Sequence, residues 1–173
     1  MNSAKVYQSI TKIVSAYKAR LDTMDEAVFN ETPPIGGWSY SEVYAHIFDA
    51  SLLSLIALNK TIKGDGEEKP THFVVKLILF FGGLPPGKKY KVPKRLAERV
   101  KKISKLAAQQ FIVDFELQLL KAYPNIDKAN PKMKAKHPRM GYLNAKQWLR
   151  FIEVHLNHHL KQLGRIEKSF SER

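Results

Sequence analysis

The segment LNAKQWLRFIEVHLNHHLKQLGRI, residues 143–166, contains a helix start, an apolar stripe and three closely spaced histidines. Asn144 is followed three residues later by Gln147, which is the arrangement of a capping box. Apolar residues then recur at intervals of three and four, which predicts an amphipathic helix with one buried face. We expect that face to carry Trp148, Ile152, His155, His159, Leu163 and Ile166.

The three histidines of this segment are not equivalent on a helix. Residues four apart lie one turn above each other, so His155 and His159 point together into the predicted core. This spacing is typical of helical metal-binding pairs. His158 is displaced by about 100° from His159 and aligns with charged residues. A chelate of His155 and His158 is the alternative, but we prefer the inward pair.

A third ligand has to come from another part of the chain, and His46 is the best candidate. It lies on the apolar stripe of a second predicted helix, whereas His72 is in a long connection and His137 precedes a proline in a basic loop. If His46 were the only inward histidine, a hydrogen bond to a backbone carbonyl would explain it better than a metal. Three inward histidines on two helices favour a metal, because unpaired buried imidazoles cost about 1–3 kcal/mol each.

Helical periodicity predicts four helices, and no segment shows convincing strand alternation. We expect one all-α domain over residues 1–173, a four-helix bundle with long connections after the second and third helices. Pro124 should end the third helix. The predicted helices cover about 3–24, 39–62, 94–122 and 144–166, and the third should bury Leu96, Val100, Ile103, Ala107, Phe111 and Leu117.

The composition limits the chemistry and the location of the protein. No cysteine is present, so metal ligands must be nitrogen or oxygen atoms. The N-terminus has no apolar signal-peptide core, and the longest apolar run, 73–84, contains Lys76 and is shorter than the roughly 20 residues of a membrane span. We therefore expect a soluble, cytoplasmic protein with no membrane span.

The net charge of +13 is concentrated in residues 87–105 and 128–139. Basic clusters raise nucleic acid or another anionic surface as a partner, and a non-catalytic binding bundle is the alternative function. We prefer two solvated faces, because aromatic residues are sparse in both stretches and neither matches a recognition motif. The apolar run 73–84 raises a further alternative, a homodimer that acts as an interaction protein.

Two blocks of the sequence together resemble the DinB-like superfamily. The first is GGWSYSEVYAHIFDAS, residues 36–51, in which His46 follows Ser39 by seven positions. The second is the 143–166 helix, which is similar to a branch with the pattern HxxHHxxQ. The resemblance implies an up-down-down-up four-helix bundle in which His46, His155 and His159 bind a divalent metal. It also implies relatives that include low-molecular-weight-thiol S-transferases, a thiol-dependent maleylpyruvate isomerase and hydrolases.

Three imidazole ligands leave coordination positions open for water or substrate, as in catalytic metal sites. Such a donor set favours Zn, Ni or Fe, and the resemblance adds a low-molecular-weight thiol as a cosubstrate. The substrate is an unidentified small molecule, and Arg150 and Arg165 would suit an anionic one, although solvated helix faces explain them equally well. Glu42 and Gln162 are the candidate catalytic residues, but a capping box with Ser39 also explains Glu42. Asp49 and Asp114 are candidates for orienting the ligand imidazoles.

Overall fold

The computed structural model describes residues 2–83 and 100–172. Those ranges form six helices and one small antiparallel sheet. The helices are α1 (Ser3–Thr23), α2 (Glu26–Asn30), α3 (Tyr40–Ile62), α4 (Phe73–Phe81), α5 (Lys105–Ile126) and α6 (Ala145–Ser171), and the strands are β1 (Ala135–His137) and β2 (Gly141–Leu143).

Helices α1, α3, α5 and α6 form a four-helix bundle with up-down-down-up topology. Helix α5 runs antiparallel to α1, because Ser3 bonds Asp127 while Lys18 pairs with Glu116. Helix α6 runs parallel to α1, since Tyr17 bonds the Leu156 carbonyl and Arg20 pairs with Glu167. Helix α3 runs antiparallel to α6, with Tyr40 stacked on Phe170 and His46 beside His159. The predicted fold class is confirmed.

Both predicted capping boxes are present, and they start the two helices that carry the histidines. At α3, the Ser39 side chain accepts from the backbone of Glu42, and the Glu42 carboxylate accepts from the backbone of Ser39. Asn144 and Gln147 make the same reciprocal pair at the start of α6. Each cap satisfies backbone N–H groups that the first helical turn leaves without partners. The caps therefore set where each helix begins.

The predicted inward face of α6 is confirmed: Trp148, Ile152, His159, Leu163 and Ile166 are buried, and His155 is half-buried. The centre of the bundle is aromatic. Tyr17 lies edge-on to both Tyr44 and Phe48, and the Tyr44 hydroxyl donates to the Tyr17 carbonyl at 2.7 Å. The Tyr17 hydroxyl in turn donates to the Leu156 carbonyl of α6, so both buried hydroxyls have hydrogen-bond partners. These two bonds connect α1 to α3 and α6, the helices that carry the histidines.

The third bundle helix differs from the prediction in its start, its end and its buried face. Residues 100–104 are not helical, and the predicted positions 94–99 lie outside the described residues. Pro124 lies inside the last turn, and the helix continues to the buried Ile126, so the proline does not end it. The predicted stripe is only partly correct: Ile103 and Phe111 are half-buried against the core, and Leu117 is exposed. The fully buried residues of α5 are Ala108, Ile112, Phe115, Leu119, Ala122 and Ile126.

The connection between α5 and α6 contains a hairpin that the periodicity did not indicate. Strand β1 pairs with β2 in the register His137 to Gly141, and Glu67 bridges to Lys134 just before β1. Gly141 has φ +69°, and a Cβ atom at this position would lie 2.9 Å from the His72 ring. A glycine is required there both by the backbone conformation and by the close approach. The sequence shows no convincing strand alternation, so this small sheet corrects the prediction for the connection between α5 and α6.

Helix α3 is the one described helix whose length and composition would suffice to cross a membrane. Most of it is buried within the bundle, which is the pattern of a core helix. The short helix α4 lies over the outside of α6 and contributes only Val75 and Leu79 to the core. Ile78 is half-buried, and the other large apolar side chains of α4, including Phe73, Phe80 and Phe81, are exposed.

Candidate metal centre

His46, His155 and His159 come together between α3 and α6. One ring nitrogen from each lies within 4.8 Å of the other two. The ring centroids are separated by 5.4 Å for His46 and His155, 4.9 Å for His46 and His159, and 4.8 Å for His155 and His159. Residues from two antiparallel helices, more than one hundred positions apart in sequence, therefore form a single cluster of donor atoms.

Burial keeps these imidazoles neutral, which is the state that binds a metal. It lowers the pKa of His159 to about 3, with a further contribution from neighbouring His46. It also lowers the pKa of His155 well below its ordinary value, together with repulsion from His159 and His46. The pKa of His46 is lowered by burial as well, although the Asp49 carboxylate opposes the shift. At neutral pH all three rings offer a lone pair.

A hydrogen bond to Gln162 sets the orientation of His159. The two side chains meet at 2.8 Å between His159 Nδ1 and Gln162 Oε1. Because the amide oxygen only accepts, the proton of His159 resides on Nδ1 and the lone pair on Nε2. That Nε2 atom faces His155 Nε2 at 3.2 Å. A second group that fixes the tautomer of a ligand imidazole is a general feature of histidine metal sites.

The donor set fits a divalent transition metal. Two nitrogen ligands at the usual Zn–N distance in a tetrahedral site would be about 3.3 Å apart. The separation of 3.2 Å between the Nε2 atoms of His155 and His159 is close to this value. Three neutral imidazoles without carboxylates also match the preference of Zn, Ni or Fe over Mg or Ca.

The cluster lies in the wall of a cavity of about 1180 Å³. Helices α3, α4 and α6 and the β-hairpin all contribute to its lining, which is mainly apolar. Trp38 lies beside the cluster, with its ring centroid 5.0 Å from that of His46. The three histidines that would hold a metal therefore border a space large enough for a small-molecule substrate.

His137 is a cavity residue that the sequence did not reveal. Its ring packs 4.5 Å from Phe151 and 5.4 Å from Trp148, and its Nδ1 accepts from the backbone N–H groups of Arg139 and Met140. Burial and the nearby Arg139 lower its pKa to about 4. The expected loop position of His137 is corrected, because the residue lies in β1 and a strand positions its ring. No periodic signal marks a strand of three residues.

The other residues considered for the site occupy different positions. Gln162 and His158 line the cavity, and His158 is exposed. The carboxylate of Glu42 accepts from both the backbone and the hydroxyl of Ser39 within the helix cap. Arg150 pairs with Glu153 and donates to the Leu79 carbonyl, which joins α6 to α4. Asp114 accepts from Gln110 along the partly exposed side of α5.

These features define a class: a four-helix bundle with a histidine cluster capable of holding a metal at the wall of a large cavity. The family profile described as the DinB superfamily matches residues 11–163. The chain belongs to this superfamily. The resemblance of residues 36–51 and 143–166 to it is thereby confirmed.

Two solved structures share the fold. The first is YfiT from Bacillus subtilis, described as "a probable metal-dependent hydrolase with an unusual four-helix bundle topology". It has a TM-score of 0.67 and 16% identity, over 98% of this chain and 87% of the other. "TT2238, a four-helix bundle protein" is the second, with a TM-score of 0.60 and 18% identity over 95% of this chain and 99% of the other. A search of curated proteins found no match.

Proposed function

We propose that this protein is a metal-dependent hydrolase whose ion is held by His46, His155 and His159. The observation that carries the proposal is the convergence of three neutral imidazole donors within 4.8 Å of one another in a cavity wall. The description of YfiT as a probable metal-dependent hydrolase supports the same assignment, since the two proteins share the bundle.

The residues around the cluster have distinct roles in this proposal. A divalent ion bound there would supply Lewis-acid chemistry, lowering the pKa of water to about 7 or polarising a carbonyl. Gln162 holds His159 with its lone pair toward the ion and, from the cavity wall, presents an amide to the substrate. Trp38 and Phe151 shield the imidazoles from bulk water, which strengthens electrostatic interactions at the reacting group.

The test is hydrolysis of a panel of aryl esters and anilides by the protein loaded with Zn, Ni or Fe. We expect turnover that disappears with chelation, returns with metal, and is lost in His155→Ala but retained in His158→Ala. A panel without any metal-dependent turnover, measured on protein shown to carry stoichiometric metal, would refute hydrolysis.

Transfer of a low-molecular-weight thiol is the second candidate function. The cavity, at about 1180 Å³, exceeds the range typical of a site for one drug-sized ligand and leaves room for two substrates. A thiolate can bind a histidine-held metal directly and react as a nucleophile. Adding cysteine, glutathione or another low-molecular-weight thiol together with electrophilic substrates distinguishes the candidates, because only a transferase would require the thiol and consume it stoichiometrically.

A further inference from the structure

The wall of the cavity is apolar away from the histidine cluster. Leu53 and Ala57 line it from α3, Val74 and Ile78 from α4, and Met140 from the hairpin. When a hydrocarbon or aromatic group is buried against such a surface, its binding affinity rises about fourfold for each buried methylene. A substrate that fills this cavity therefore carries an apolar body in addition to the polar group that reacts at the histidine cluster.

The charged residues in the lining are all cationic. Among the described residues that line the cavity, Lys136 and Arg139 carry charge and none is acidic. Arg139 is at the exposed turn of the hairpin, and its charge helps to lower the pKa of His137. An anion entering this space meets the positive charges of Lys136 and Arg139 from the hairpin.

We propose that the cavity binds an amphipathic anion, with its apolar body between α3, α4 and the hairpin and its acidic group near Arg139. This assignment rests on the proposed function in taking the cavity as the substrate site, and it names the class of substrate. The reacting ester or amide would lie toward the histidines, while the acidic group remote from it selects the substrate. Charge complementarity and apolar lining carry the choice of ligand.

The protein contains its own probe of this site. Its two tryptophans, Trp38 and Trp148, both line the cavity. Titration with 1-decanesulfonate below its micelle concentration should change their fluorescence. Sulfonate is a poor metal ligand, so the same measurement applies to the full-length protein with and without Zn. Hexanesulfonate tests the contribution of the tail, and decyltrimethylammonium tests the contribution of the charge.

We expect decanesulfonate to bind at least tenfold more tightly than hexanesulfonate and at least tenfold more tightly than decyltrimethylammonium. Ala57→Phe should weaken decanesulfonate binding by about tenfold or more, with Ala57→Leu as a milder variant if the first unfolds. Ala19→Phe, on the exposed face of α1, is the matched control. Arg139→Gln should abolish the preference for the anion, whereas Arg139→Lys should retain it.

Equal binding of the anionic and cationic probes, or binding unaffected by both Ala57 substitutions, would overturn the inference. Absence of any fluorescence change or calorimetric heat would do the same. These results are separable from the proposed function. Metal-dependent hydrolysis without sulfonate binding refutes only the substrate class, and selective sulfonate binding without hydrolysis supports the cavity assignment while refuting the hydrolase.

Discussion

The Nε2 atoms of His155 and His159 face each other at 3.2 Å across one turn of α6. Gln162 Oε1 accepts from the Nδ1–H group of His159, so the lone pair of His159 is on Nε2, within the cluster. His46 completes the cluster from the antiparallel helix α3. The site therefore depends on two helices whose relative position is fixed by the core.

Gln162→Leu should weaken metal binding without removing it. The substitution deletes the acceptor that holds the proton on Nδ1 of His159, and loss of such a partner typically costs about 10–100-fold in metal affinity. Gln162→Glu retains an acceptor and should bind at least as tightly as the original protein. Competition with a chromogenic chelator measures both variants. Equal affinity of all three proteins would show that Gln162 does not orient His159.

Acidification should destabilise the metal-free protein, partly through His137. Burial lowers the pKa of this residue to about 4, below its ordinary value of 6.5, so the unfolded chain binds more protons between these pH values. Stability is thus lost as the pH falls from about 6.5 to 4, by up to about 3 kcal/mol from this residue.

His137→Asn tests this contribution, because asparagine can still accept from the backbone N–H groups of Arg139 and Met140 but does not titrate. Urea unfolding of the two proteins at pH 7.5 and 4.5, with a chelator present, gives the comparison. The variant should lose less stability than the original protein between these pH values. An identical loss in both would contradict the role of His137.

Tyr17→Phe should lower the free energy of unfolding by about 1 kcal/mol, the usual net value of one buried hydrogen bond. The Tyr17 hydroxyl donates to the Leu156 carbonyl at 2.8 Å, beside His155. Because the ring and its packing remain, metal stoichiometry should not change. Denaturant unfolding and elemental analysis measure the two quantities. Loss of metal at unchanged stability would mean that this hydrogen bond positions the cluster itself.

Glu42→Gln separates a structural role of this residue from a catalytic one. The glutamine can still accept from the Ser39 backbone, so thermal stability and turnover should both remain close to those of the original protein. Glu42→Ala removes the acceptor and should cost about 1 kcal/mol. If Glu42→Gln retains the melting temperature but loses most of its turnover, then Glu42 acts as a catalytic acid or base.

The histidine cluster is predictable from the sequence because helical geometry is regular. The spacing of His155 and His159, and the position of His46 on an apolar stripe, specify inward directions once the helices begin at their capping boxes. The order of the helices in space came from the family resemblance, since periodicity alone does not determine topology. The contacts of Ser3 with Asp127 and of Tyr17 with Leu156 then establish it.

The parts that sequence reasoning missed lack a comparable periodic signal. Helix α5 has large apolar residues on its exposed side, among them Leu106, Leu117 and Leu120, so more than one face qualifies as the buried one. The β-hairpin has strands of only three residues and depends on contacts distant in sequence, such as the bridge of Glu67 to Lys134. The sequence therefore indicates only a basic loop around His137, whereas β1 carries this residue into the cavity wall.

Metal stoichiometry tests the central claim most directly. The protein is incubated with Zn, freed of excess ion, and analysed for metal by mass spectrometry beside His46→Ala, His155→Ala, His159→Ala and the matched control His158→Ala. One ion per chain is expected in the original protein and in His158→Ala, with less than a tenth of that in the other three. Absence of bound metal in the original protein, or equal metal in all the folded variants, would contradict the account.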